Sequence, residues 1–182
     1  MDPFKILRLP RRPLLTDEEI GRTYRELARS AHPDRDGGDT FHFRELGEAA
    51  AILRDPSRRL RELVGRTNPN RIPNEASDLF SKIAIDLRNA DLLLEKHAST
   101  STSLGRALLT EPMKTLSAEL DLSLSSLKKW RLSLDHEMAA LDLRWPEHDP
   151  DSVSLLADSF AYADRWEIQL CQRKLALDSI LS

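Results

Sequence analysis

The sequence predicts an all-α protein: an antiparallel helical hairpin with short flanking helices, followed by an antiparallel three-helix bundle. Three observations carry this. Only 6 of the 182 residues are Gly and 5% are aromatic, while Leu, Ala, Arg, Glu and Asp dominate, a mixture that favours helices over strands. Apolar residues recur at steps of three and four over most of the chain, the period of a helix with one buried face. Proline and polar clusters interrupt that period at intervals of helix length.

The first helix is expected from Thr16, because a hydroxyl followed three residues later by Glu19 lets each side chain satisfy a free backbone N–H. Ile20, Tyr24, Leu27 and Ala31 then form its buried stripe. Arg22, Arg25 and Arg29 form a second stripe, which begins roughly 200° around the axis from Ile20 at about 100° per residue, and is basic and solvent-directed. Pro33 forces His32 out of helical geometry, so the helix should stop at about Ala31. A second helix is expected from Asp39 or Thr40, with Phe43, Leu46, Ala50 and Leu53 facing inward, ending at Asp55-Pro56. A short helical turn from Pro56 to Val64 follows, since proline is tolerated at a first helical position.

Asn68-Pro69-Asn70-Arg71-Ile72-Pro73-Asn74 is turn and linker chemistry. The expected division is a domain over 1–66, a linker over 67–75 and a helical bundle over 76–182. In the bundle, one stripe runs through Leu79, Ile83, Leu87, Ala90 and Leu94, and a second through Leu116, Leu120, Leu124, Leu127, Leu134, Met138 and Leu141. A third helix, capped at Asp149-Pro150, carries Leu156, Phe160, Ala163, Leu170, Leu177 and Leu181. The short breaks between the three favour antiparallel packing.

The formal charge of −3 divides into +3 over residues 1–72 and −6 over 73–182. Two differently charged parts point to two jobs. Neither has the strongly basic balance of a nucleic-acid binder, so no nucleic-acid partner is expected. No apolar run reaches the roughly 20 residues that span a bilayer, and Met1–Pro13 lacks a signal-peptide core. The expectation is a cytoplasmic protein with no membrane partner. Cys171 stands alone, which excludes an internal disulfide and a multi-cysteine metal site, and on its leucine-rich helix it is expected in the core. No resident metal or cofactor is expected.

Around the loop between the first two helices, His32-Pro33-Asp34 is preceded by Tyr24-Arg25-Glu26-Leu27-Ala28-Arg29. It is followed by Arg35, glycines, Phe43, Leu46, Glu48-Ala49, Leu53, Asp55-Pro56 and Arg59. In that order these residues resemble the J domain of DnaJ-type co-chaperones, over residues 1 to about 66. The resemblance implies docking onto a DnaK-type chaperone ATPase, with His32, Pro33 and Asp34 carrying stimulation of ATP hydrolysis. Arg22, Arg25, Arg29 and Arg35 would steer the encounter. Gly21 and Glu26 depart from the pattern, standing where such domains often carry basic residues. The pair His32 and Asp34 has no nucleophile, metal site or phosphate loop beside it, so the expectation is a docking site and not an enzyme.

The chain has no Gly/Phe-rich or cysteine-rich module after this domain. Its opening Asp2-Pro3-Phe4-Lys5-Ile6-Leu7, the extended connection Arg11–Leu15 and the run Ala49–Arg59 are similar to the HscB type. That is the co-chaperone of iron–sulfur cluster assembly, whose C-terminal three-helix domain binds the cluster scaffold protein. Asp86-Leu87-Arg88 is similar to part of its scaffold-binding run, which implies roles for Ile85, Asp86 and Arg88. Ile85, Leu92 and Leu93 also lie partly off the buried stripe, as a partner surface would. An unrelated client, or a J-domain adaptor that oligomerises as a coiled coil, is the alternative. His148-Asp149-Pro150 reads as a helix cap, and Trp130, Trp145 and Trp166 as packing between long helices.

Overall fold

The computed structural model describes residues 2–32, 39–65 and 76–182. Among them stand seven helices: α1 (Pro3–Ile6), α2 (Asp17–Ala31), α3 (Thr40–Arg54), α4 (Pro56–Val64), α5 (Ser77–Ser99), α6 (Ser103–Leu143) and α7 (Pro150–Leu181). The all-α expectation holds over these residues. The linker expected over 67–75 lies outside them.

Short polar side chains set most of the helix starts. The Thr16 hydroxyl accepts from the Glu19 N–H at 3.1 Å, and the Glu19 carboxylate accepts from the Thr16 N–H at 2.7 Å, closing the expected capping box. Asp39 caps α3 by accepting from the N–H groups of Phe41 and His42, and Asp55 caps α4 by accepting from those of Ser57 and Arg58. Gly65 ends α4 at φ 79°, in the left-handed region that favours glycine. The short flanking helix before the hairpin is α1, whose bounds no period marks because it is only four residues long; it rests on Asp2 capping Phe4.

The chain divides into two compact units. The first contains the described residues of 1–71 together with 134–160. Its centre packs Phe4, Leu7, Ile20, Leu46, Ala50 and Leu53, with Tyr24, Leu27 and Phe43 half-buried against them. Each large apolar side chain fully withdrawn from water contributes roughly 1.5–3 kcal/mol. Residues from the end of α6 and the start of α7 join this unit through specific bonds: the Leu14 N–H donates to Asp142 at 2.9 Å, and Arg61 pairs with the buried Asp158 at 2.9 Å.

The second unit contains the described residues of 72–133 together with 161–182. Here α5 and α7 run parallel, since Asp91 meets Arg173 while Phe80 meets Trp166, and α6 runs antiparallel to both, with Ser123 bonded to Asp86 and Ser117 to Asp178. Ile83, Leu87 and Ala90 of the expected stripe are buried, whereas Leu79 and Leu94 are half-buried and Phe80 takes the inward position at the helix start. Phe80 gathers Trp130 edge-on at 5.2 Å and Trp166 stacked at 6.0 Å, so these two tryptophans pack between helices as expected. Trp145 instead stacks on His148 at 4.2 Å in the α6–α7 connection of the first unit. Cys171 corrects the expectation outright: it is exposed. The buried line on α7 runs through Ala163, Leu170 and Leu177, and a residue one step past Leu170 is turned about 100° away from it.

Candidate functional site: the basic face of α2 and the loop after it

The α2 helix buries Ile20, Ala28 and Ala31, and this orientation leaves Arg22, Arg25 and Arg29 exposed together, as the spacing predicted. Acidic residues Asp17, Glu18 and Glu19 fill the first turn and Arg29 the last, each sign placed where the helix dipole favours it. Glu19 is held below the usual carboxylate range by the backbone N–H and then the hydroxyl of Thr16, opposed by slight burial and helped by Arg12 and Arg22. The charge at the helix start is thus committed to the cap, and the cationic surface belongs to the later turns.

At the other end, His32 is the C-cap in extended conformation, φ −60° and ψ 130°, and its ring meets Phe43 of α3 edge-on with centroids 5.3 Å apart. The Asp39 N–H donates to the Ala31 carbonyl at 3.2 Å. These contacts clasp the two ends of the loop, so whatever the loop presents is delivered from a fixed base beside the arginines. Pro33, Asp34 and Arg35 lie outside the described residues.

The residues expected to meet a client behave differently from one another. Ile85 and Leu92 are exposed large apolar side chains on α5, and Arg88 is exposed between them. Leu93 is half-buried. Asp86 is only 4% exposed: its carboxylate accepts from Lys82 Nζ at 2.7 Å and from the Ser123 hydroxyl of α6. It is part of the bundle's internal hydrogen bonding, a role invisible in the local run because its partner Ser123 lies 37 residues away.

A family model for the DnaJ domain matches residues 2–62. The chain is 45% identical over 47 residues to a "Chaperone protein DnaJ" of Deinococcus proteolyticus, covering 24% of this chain and 15% of the relative. It is 43% identical over 47 residues to "Protein SIS1" of Saccharomyces cerevisiae, covering 26% and 13%. It is also 43% identical over 61 residues to a "Chaperone protein DnaJ" of Caldicellulosiruptor bescii, covering 32% and 15%. The chain therefore spans about one seventh of the length of these curated relatives. Residues 2–62, with their helical hairpin, clasped loop and basic helix face, form a J domain of the DnaJ family.

Proposed function

We propose that this chain is a J-domain co-chaperone that stimulates the ATPase of a DnaK-type chaperone and presents a client through its later helices. The observation that carries this is the exposed Arg22–Arg25–Arg29 face leading, through His32, into a loop clasped at both ends. In this reading the arginines steer the encounter with an acidic surface, and His32, Pro33, Asp34 and Arg35 deliver the stimulating contact. The protein acts on another enzyme's rate and is not itself an enzyme. Among the described residues no helix is long and apolar enough to cross a membrane. A cytoplasmic site of action is part of the same proposal.

The client we assign is an iron–sulfur cluster scaffold, as in HscB-like co-chaperones. Support comes from the exposed Ile85, Arg88 and Leu92 on one face of α5, whereas Asp86 and Leu87 are buried in the bundle and take no part in that face. A second reading, an adaptor that self-associates, draws on Leu104, Leu108 and Leu122, exposed on one face of α6. The deciding experiment is single-turnover ATP hydrolysis by a DnaK-type chaperone with the full chain and with Asp34→Asn. Stimulation by the natural chain and none by the variant is the expected result; equal rates sink the co-chaperone reading. Light scattering decides the adaptor, and co-purification with a cluster scaffold, lost on Ile85→Asp, decides the client.

A further inference from the structure

A groove of about 510 Å3 lies between α6 and α7 in the second unit, within the range of sites that bury a bound group. Its charges are sorted by wall. Lys128 and Arg131 stand on the α6 side, Asp164 and Glu167 on the α7 side, over a floor that includes Leu127 and Ala163. Arg131 and Asp164 bridge the walls as an ion pair, whereas Lys128 and Glu167 make no ion pair with another described residue. Leu132, which lines the groove one turn beyond Lys128, is 59% exposed, and further along α7, one turn beyond Asp164, Ile168 is 58% exposed.

We propose that this groove docks an amphipathic helical segment of a partner protein, with two apolar anchors one turn apart, an acidic flank facing Lys128 and a basic flank facing Glu167. Both walls are helices whose mid-helix backbone groups are already bonded internally, so the groove offers side chains and no free strand edge; an extended peptide gains nothing there. The lining residues 127–132 and 163–167 cover about 6–8 Å of helix axis at about 1.5 Å per residue, the span of an i, i+4 pair. Opposite charges on facing walls disfavour a partner of uniform sign, which excludes a polyanion and selects a helix with mixed flanks. This site rests on the reading that the later helices receive a client, and it places an anchor point on α6 and α7 in addition to the α5 face.

The test uses the full chain and three labelled helical peptides that share Leu anchors at i and i+4 and differ in their flanks: Glu and Lys, Glu only, Lys only. Fluorescence anisotropy should show the mixed peptide binding about ten-fold more tightly than either uniform one. Lys128→Glu, at an exposed position, leaves Arg131 as the groove's one cation against three carboxylates and should shift the preference to the Lys-only peptide with helicity unchanged. Equal binding of all three peptides, no binding, or an unchanged preference in Lys128→Glu overturns the proposal. Chaperone ATPase stimulation measured on the same samples separates the two claims: the peptide pattern without stimulation keeps the groove and sinks the co-chaperone reading, and stimulation without the pattern does the reverse.

Discussion

Arg59 Nε donates to the carbonyl of Pro13 at 2.7 Å, joining α4 to the connection that precedes α2. The same guanidinium donates to the Leu53 carbonyl and approaches Met138 Sδ at 3.5 Å. With 3% of its surface exposed, Arg59 is a cation in the interior of the first unit. Burial pulls its pKa down, and Asp17, Asp55 and Asp142 act in the other direction. Its planar fork reaches backbone carbonyls of two segments from two different nitrogens held in a fixed plane, a spread that the single nitrogen of an ammonium does not reproduce.

Replacing Arg59 should therefore unfold the first unit more readily. Arg59→Ala leaves the Pro13 and Leu53 carbonyls unpaired and is expected to cost about 2–4 kcal/mol, with Arg59→Lys recovering less than half. Urea unfolding followed by circular dichroism measures this; a loss below about 0.5 kcal/mol would show that the buried bonds are dispensable.

The capping box gives a pH dependence with a definite sign. Glu19 has a lowered folded pKa, so its contribution is present above the ordinary carboxylate value of about 4.3 and is lost as pH falls through the lower folded value. Asp178, lowered by Ser117 and then Lys174, behaves in the same way. Lys174 is raised by Asp121 and Asp178, so its contribution is present below about 10.4 and fades as pH rises through the higher folded value. Glu19→Gln should melt below the natural chain at pH 7, and the two melting curves should converge under acid. Parallel curves down to pH 2 would contradict the assignment.

Asp86 should read as a stability residue. Asp86→Ala leaves the Ser123 hydroxyl without its acceptor and is expected to cost about 1–3 kcal/mol, with Ser123→Ala costing less and the double variant falling short of the sum. Additive losses in thermal melts would mean that the two side chains do not depend on each other. Scaffold binding, by contrast, should respond to Ile85→Asp and Leu92→Asp without a comparable loss of stability.

The arginine face should act on the encounter. Arg25→Glu is expected to raise the concentration needed for half-maximal ATPase stimulation by about 3–10-fold at low salt, and the difference should shrink above about 0.5 M salt. A salt-independent defect would indicate a contact role in place of steering. The maximal stimulation should stay close to that of the natural chain.

The local rules of the sequence were legible because each is carried by neighbours. Thr16 with Glu19, Asp39 before Thr40, and Asp55 before Pro56 mark helix starts within four residues, and the structure places α2, α3 and α4 at those bounds. What escaped depends on distant partners. Asp86 reads as part of a partner-binding run until Ser123 is brought beside it, and the burial of Arg59 comes from Pro13 and Met138, 46 and 79 residues away. Cys171 failed for a different reason: a leucine-rich helix has a dry side and a wet side, and composition alone does not say on which a given residue falls.

The family match ends at residue 62, yet the surroundings of Arg59 are completed by residue 138 and those of Arg61 by residue 158. A fragment cut after Gly65 keeps every helix of the J domain and strips two of its arginines of their far neighbours. Such a fragment will melt at a lower temperature than the same helices in the full chain, and the shortest expression product with native thermal behaviour must reach past residue 160.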